Sequence, residues 1–413
     1  MSSSTRSVSQ RLARPYRWAL WSAAALVAAL GIVIAVDRAF FAVGTRTCSS
    51  SEPTRSSRPG LQRILDGVVV APSNLAPGAT AYVSGPHGTW SGAAGFADTS
   101  TCTAMPADAR MRLESVSKIY TAVLVLELAQ DGKLRVTDTV SRWLPGLLPY
   151  GNRITIRELL TMSSGLIDNN DFVNASDSAR RAYLARVKDP RLREELLAAA
   201  AAVNRNPAAV VPPMLWIRWA AWQPLLFEPG TLSHYSNIGY GVLGLIAARA
   251  GGKPLPVLYR ERIFEPLGLE ATAYDPQGPI RGPHARGYAI EPNGTQTDST
   301  DWHYGVGAEG GIVSDAKDTA TFLTALMRGK LLGRRQVTAM EFDNLWRGGE
   351  PSGCAGQAFG WSGGGSGFKT EAWVDDRGSR VAVLLLNARH LSTAQPAADM
   401  TAHETLARLY CGS

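Results

Sequence analysis

The stretch Leu113-Glu114-Ser115-Val116-Ser117-Lys118-Ile119-Tyr120-Thr121-Ala122-Val123-Leu124 reads as the start of an amphipathic helix with a Ser-x-x-Lys pair in its first turn. Ser115 and Lys118 stand three apart, so both side chains emerge on one face. There the Lys118 amine can reach the Ser115 hydroxyl. Ile119, Val123 and Leu126 follow near a helical period and bury the helix. A serine at a helix N-terminus meets unpaired N–H groups and the positive dipole end, which favour developing negative charge. That is one way to make a nucleophile without histidine.

A lone Ser-x-x-Lys is a weak signal, and the chain has three. Ser314 to Lys317 opens an ordinary helix, with Ser314 read as its N-cap. Ser366 to Lys369 lies in a glycine run with no helix to organise it. Only the Ser115 pair has partners elsewhere that complete a chemistry.

The chain has 413 residues, 45% hydrophobic and 19% charged, a globular composition able to bury a large core. The net charge is +7, and five arginines with one aspartate in residues 1–40 place +4 of it there. The remainder forms no basic stripe and no basic motif interleaved with aromatics, so nucleic acid is excluded as a partner. Residues 18–36 carry no charge and are mostly Ala, Leu, Val and Ile. That length matches the ~20 residues needed to cross a bilayer. Arg6, Arg11, Arg14 and Arg17 precede it, which predicts a cytoplasmic tail at 1–17, a membrane anchor at 18–36 and an exported remainder. A signal peptide cut after Ala42-Val43-Gly44 is the rival. Residues 49–60, rich in Ser, Pro and Arg, read as a linker. The four cysteines, Cys48, Cys102, Cys354 and Cys411, suggest disulfides in an exported chain and allow three pairings.

From residue 61 onward the pattern is mixed. Residues 80–83 and 90–95 look like strands joined by Gly85-Pro86-His87-Gly88. The middle is helical, with a charged, alanine-rich excursion at 175–211 and Trp216, Trp219 and Trp222 at spacing three, read as core. Strands return at 368–374 and 380–386, and a last helix spans about 397–410. Both ends of the chain therefore build one α+β lobe, an antiparallel sheet flanked by N- and C-terminal helices, with an all-α lobe inserted at about 133–300. The junction of the lobes is the default active site.

Three short stretches act together: Ser115-Val116-Ser117-Lys118, Tyr235-Ser236-Asn237 and Trp361-Ser362-Gly363. With Ile154-Thr155-Ile156-Arg157-Glu158-Leu159-Leu160, Ser163-Ser164-Gly165-Leu166, Pro229-Gly230, Ile263-Phe264-Glu265-Pro266-Leu267 and Gly310-Gly311-Ile312-Val313-Ser314, they form an ordered set. On these residues the chain resembles the penicillin-recognising serine hydrolases, the class C β-lactamase and D-alanyl-D-alanine carboxypeptidase family, over residues 61–413. The resemblance implies the β-lactamase/transpeptidase-like fold and an acyl-enzyme on Ser115. It implies Lys118 as the group that takes or relays the serine proton and Tyr235 as general base or acid. Asn237 would contact the substrate's acyl side, and the backbone N–H groups of Ser115 and Gly364 would form the oxyanion hole. No metal or organic cofactor is implied. The substrate would be a peptidoglycan peptide, a β-lactam or a small ester. The resemblance also implies the disulfide Cys354–Cys411, which leaves Cys48 with Cys102. Separately from the resemblance, the chain is read as a monomer.

Trp361 departs from the family, which usually has Lys or His there to receive a substrate carboxylate. Some esterases of the family carry Trp at that place. The chain thus reads as a carboxypeptidase-like hydrolase, with carboxylesterase or β-lactamase as alternatives. A catalytically silent wall-binding or sensor protein is the alternative of another class. Gly360-Trp361-Ser362-Gly363-Gly364 also fits Gly-x-Ser-x-Gly, but that motif needs a strand before it and a helix after it.

Overall fold

The computed structural model describes residues 48, 56–70, 75–206, 209–302, 307–333, 354, 358–365, 367–391 and 395–412. The apolar run 18–36, most of the linker 49–60 and Ser366 lie outside them. Among the described residues no helix is long and apolar enough to cross a membrane.

The sheet is made from both ends of the chain. β1 (Gly78–Gly85) and β2 (Gly88–Asp98) form the expected hairpin, longer than its apolar alternation suggested, with β3 (Thr103–Ala104) beyond. β9 (Ala358–Gly365), β10 (Phe368–Asp375) and β11 (Val381–Leu386) come from the C-terminal part. The strand order is β3-β2-β1-β11-β10-β9, and every pairing is antiparallel. β11 is Val-Ala-Val-Leu-Leu-Leu and is buried on both faces. Val381, Val383 and Leu385 join the main core, while Ala382, Leu384 and Leu386 join a second cluster on the opposite face. A period of two thus feeds two cores. The second cluster is closed by α1 (Pro59–Asp66) and by the C-terminal helix Gln395–Cys411. α1 begins at Pro59, so the end of the expected linker is already helix.

On the main-core face lies α2 (Ser117–Gln130), preceded by β4 (Met111–Arg112) and a short 3₁₀ turn, Glu114–Val116. Two expectations change here. Ser115 sits on the 3₁₀ turn before the helix rather than in its first α-turn. The helix is buried nearly all round, at 11 of its 14 residues, not along one stripe. A helix apolar on every side belongs at the centre of a large core.

The inserted lobe runs through α3 (Val140–Trp143), α4 (Ile156–Leu160), α5 (Asn169–Val173), α6 (Asp177–Arg186), α7 (Pro190–Arg205), α8 (Pro213–Ala220), α9 (Asn237–Gly251), α10 (Leu255–Tyr259) and α11 (Glu265–Leu267). It ends there, short of residue 300. β5 (Ala273–Tyr274), β6 (Tyr288–Ile290), β7 (Gln296–Asp298) and β8 (Ile312–Ser314) follow, and α12 (Ala316–Met327) packs on β1, β10 and β11. β5 and β4 pair with β8, and β6 pairs with β12 (Ala388–His390), so these residues belong to the α+β part. Strands of two or three residues have no period to read, which is why the sequence hid them. Two further corrections are local. Asp315, not Ser314, caps α12, accepting from Asp318 N at 2.7 Å, while Ser314 is the last residue of β8 and bonds Thr272. Trp219 is fully buried among Phe172, Tyr183 and Trp216, but Trp222 is exposed.

Cys48 is bonded to Cys102 and Cys354 to Cys411. The second bridge joins the segment before β9 to the end of the C-terminal helix, here α13.

Candidate active site

The 3₁₀ turn carries Ser115 to the edge of the sheet, against β9 and β10. Its backbone is held by Leu113 N donating to Ile312 O at 2.9 Å, and Ser117 Oγ accepts from Ile312 N at 3.0 Å. The loop bearing Tyr235 is tied to the Ser163–Gly165 stretch. Leu226 N donates to Gly165 O and Gly230 N to Ser163 O, both at 2.8 Å, and His234 N donates to Met162 O at 2.9 Å. Ser236 then caps α9 by accepting from Gly239 N at 3.1 Å.

These supports bring three side chains together from positions 115, 118 and 235. Ser115 Oγ lies 2.7 Å from the Tyr235 hydroxyl and 3.2 Å from Lys118 Nζ. Lys118 also donates to Asn237 Oδ1 at 2.7 Å and to the Glu309 carbonyl at 3.0 Å. An ammonium has three donors, and here each has an acceptor. Lys118 is 2% exposed, whereas Tyr235 is 41% exposed. The buried lysine therefore sits behind a serine and a phenol that solvent can reach. Its nitrogen lies 4.8 Å from the centroid of the Tyr235 ring, within cation–π range.

Asn237 turns inward to the lysine rather than outward to a cleft. Its Nδ2 donates to Asp168 Oδ2 at 3.3 Å and its backbone N–H to Asp168 Oδ1 at 2.9 Å. Asp168 is also the N-cap of α5. Two more carboxyls, Glu114 and Glu309, are buried near Lys118. Burial raises all three. Arg112, Arg389 and then Lys118 oppose it at Glu114, which still reaches about 7, the Asn237 N–H and Lys118 oppose it at Asp168, and Lys118 at Glu309. Sequence reasoning assigned none of them a role. Asp168-Asn169-Asn170-Asp171 is a capping-box pattern, the one available signal, and it announces a helix start, not a site.

The third stretch lies on β9. Trp361 is buried in the main core, 6% exposed. Ser362 points to the other face, accepting from Lys369 Nζ at 2.7 Å and donating to Glu371 Oε1 at 2.8 Å. It stands mid-strand with another strand after it; His390 bonds Leu75 O, and His403 lies 3.7 Å from the far oxygen of Glu371, so the Ser362 hydroxyl proton faces a carboxylate and not an imidazole. The nucleophile-elbow reading of Gly-x-Ser-x-Gly fails on that geometry. Gly363 lies flush on the nucleophile turn. A Cβ there would stand 2.3 Å from Leu113 O and 3.0 Å from Ser115 N. Only glycine lets two backbones approach so closely. Gly364 follows directly on the same strand. Among the described residues no cluster of three or more His, Cys, Asp or Glu could hold a metal.

Fold and cluster together define a serine hydrolase of the β-lactamase and penicillin-binding type. The beta-lactamase family model matches residues 69–407, and the chain belongs to that family. Penicillin-binding protein 4* of Bacillus subtilis is 26% identical over 253 residues, covering 58% of this chain and 50% of that protein. Probable hydrolase M10 of a Phoma species is 26% identical over 228 residues, covering 54% of this chain and 36% of that one. The chain thus spans half or less of the length of these relatives. Among solved structures, a D-stereospecific amidohydrolase from Streptomyces superposes with a TM-score of 0.68 at 24% identity, covering 86% of this chain and 99% of that one. An octameric penicillin-binding protein homologue from Pyrococcus abyssi superposes at 0.66 with 19% identity, covering 86% and 77%. At such identities these structures speak for the fold.

Proposed function

We propose that this chain is an exported, membrane-anchored D-alanyl-D-alanine carboxypeptidase-like enzyme that cleaves cell-wall peptides through an acyl-serine. The observation that carries the reading is the Ser115 hydroxyl held between the Tyr235 oxygen and the Lys118 nitrogen, at 2.7 and 3.2 Å. Ser115 Oγ attacks the peptide carbonyl. Its proton passes to the Tyr235 oxygen as the phenol's own proton moves on to the leaving amine, and water later releases the acid by the reverse relay. Tyr235 is the group placed to relay the proton because its oxygen is the nearer of the two to Ser115 Oγ, at 2.7 Å against 3.2 Å for Lys118 Nζ, and the lysine orients the serine from behind. The backbone N–H groups of Ser115 and Gly364 receive the carbonyl oxygen as it gains charge. The penicillin-binding relatives and two cysteine bridges, which persist in an oxidising compartment, support this assignment.

A second reading is an esterase or amidase for neutral acyl groups. Trp361 favours it: the position that in the family usually carries a cation holds a buried indole.

Incubation with a reporter penicillin and with a fluorophosphonate, followed by peptide mass spectrometry, tests the mechanism. The adduct is expected on Ser115, and Ser115→Ala should lose labelling and at least ~10³-fold in turnover. A label on Ser362, or undiminished hydrolysis by Ser115→Ala, removes the mechanism. Parallel assays on a D-Ala-D-Ala peptide, a chromogenic cephalosporin and a short-chain nitrophenyl ester separate the substrate classes.

A further inference from the structure

The residue before the nucleophile breaks two rules at once. Glu114 has φ +52°, in the left-handed region that costs any side chain with a Cβ. Its carboxyl is buried, 7% exposed, and its Oε1 has no hydrogen-bond partner. Burying a carboxyl so poorly satisfied is itself unfavourable. Glycine at this position would avoid both costs. Local rules broken together beside a reacting group mark a functional constraint.

The side chain's position says what the constraint is. It lies over the end of β9, at the last of three consecutive glycines. A Cβ on Gly365 would stand 2.6 Å from Glu114 Oε2. On Gly363 it would meet Leu113 O and Ser115 N, and on Gly364 the Arg389 guanidinium at 2.5 Å. Alternate glycines face opposite sides of a strand. The nucleophile turn therefore presses on Gly363 and Gly365 from one face, and Arg389 presses on Gly364 from the other. Arg389 is anchored by Asp399 of α13 at 2.7 Å. The segment so gripped carries the Gly364 N–H.

We propose that Glu114 is a positioning residue: its carboxyl, wedged over Gly365, sets the spacing between the Ser115 and Gly364 amides that form the oxyanion hole. The proposal rests on the acyl-serine reading above. The wedge acts by shape. The charged groups facing it are Arg112 on β4, Lys118 on α2, Arg389 on β12 and Glu309 in the loop before β8, and burial raises the carboxyl to about 7. An uncharged amide of the same shape is expected to hold the strand equally well.

The test uses the full chain with Glu114→Gly, Glu114→Gln, Gly365→Ala and the Glu114→Gly/Gly365→Ala pair. Glu114→Gly should lose about 100-fold in kcat at nearly constant KM, since displacing a catalytic donor by about an ångström costs that much. Its affinity for a boronic acid, whose tetrahedral adduct places an oxygen in the hole, should fall in parallel. Its melting temperature should equal or exceed that of the unsubstituted chain. Glu114→Gln should stay within about threefold of the unsubstituted kcat. Gly365→Ala should lose activity, and adding Glu114→Gly should recover it to the level of Glu114→Gly alone, because the methyl then occupies the vacated space. Unchanged kcat and boronate affinity in Glu114→Gly overturn the proposal. So does a kcat loss that tracks a fall in melting temperature, which would mark an ordinary packing residue. If Glu114→Gly still labels at Ser115 with unchanged kcat, only the wedge fails; if the unsubstituted chain is acylated by no probe, both readings fail.

Discussion

Lys118 is the residue around which the site is strung, and Asp168 decides how it is held. Lysine can only donate, so Asn237 must turn its Oδ1 toward it, and the amide's Nδ2 then needs an acceptor of its own. Asp168 supplies that acceptor and fixes the Asn237 backbone as well. Removing it frees the amide to turn its N–H₂ toward the ammonium. Asp168→Ala is expected to lower kcat about 10-fold or more, with a smaller change in KM, as the loss of an orienting hydrogen bond does. Steady-state kinetics on whichever substrate proves active checks this, and a change confined to KM would count against it. The Ser115–Lys118 pair is legible in sequence because three residues along a helical path make neighbours. Asp168, Glu309 and Asn237 are not legible as its partners, because they reach Lys118 from 50 to 191 positions away.

At the scale of the element, α2 shows what single-face reasoning leaves out. Its apolar residues fit a helix, but burial on all sides depends on what packs around it. Glu127 on that helix is 8% exposed with an unpartnered Oε2, and burial raises it to about 8, Arg262 notwithstanding. The sign follows directly. The folded state holds this proton more tightly than the unfolded chain, whose glutamates titrate near ~4.3. The group costs nothing below that pH, and stability is lost as pH rises from there toward 8. Glu127→Gln should therefore raise the melting temperature more at pH 8.5 than at pH 5, read by thermal denaturation at both. Equal shifts would show that the carboxylate is not destabilising. β5, β6 and β7 make the opposite point. Their sequences hold no readable period, and they exist because β8 offers an edge to β5, β12 to β6, and β6 in turn to β7.

For the whole molecule, the sheet closes only when β1 meets β11, residues some 300 positions apart. The Cys354–Cys411 bridge ties the segment entering β9 to the helix that covers the sheet's second face. Its loop spans 57 positions, and the chain-entropy model gives such a closure about 4 kcal/mol. Cys411→Ser is expected to lower the urea midpoint by a corresponding amount while Ser115 still labels in the folded fraction. An unchanged midpoint would mean that the bridge constrains little in the unfolded chain.

The sequence by itself determined the hairpin, the doubly apolar β11, the helical middle and the Ser-x-x-Lys pair, because each is written in residues a few positions apart. The fold class followed from their order. Only the tertiary structure decided that Asn237 faces the lysine, that Asp315 displaces Ser314 as a cap, and that Glu114 lies over Gly365. Those choices turn on which groups meet across long loops, where burial and hydrogen-bond satisfaction, not local spacing, set the energy.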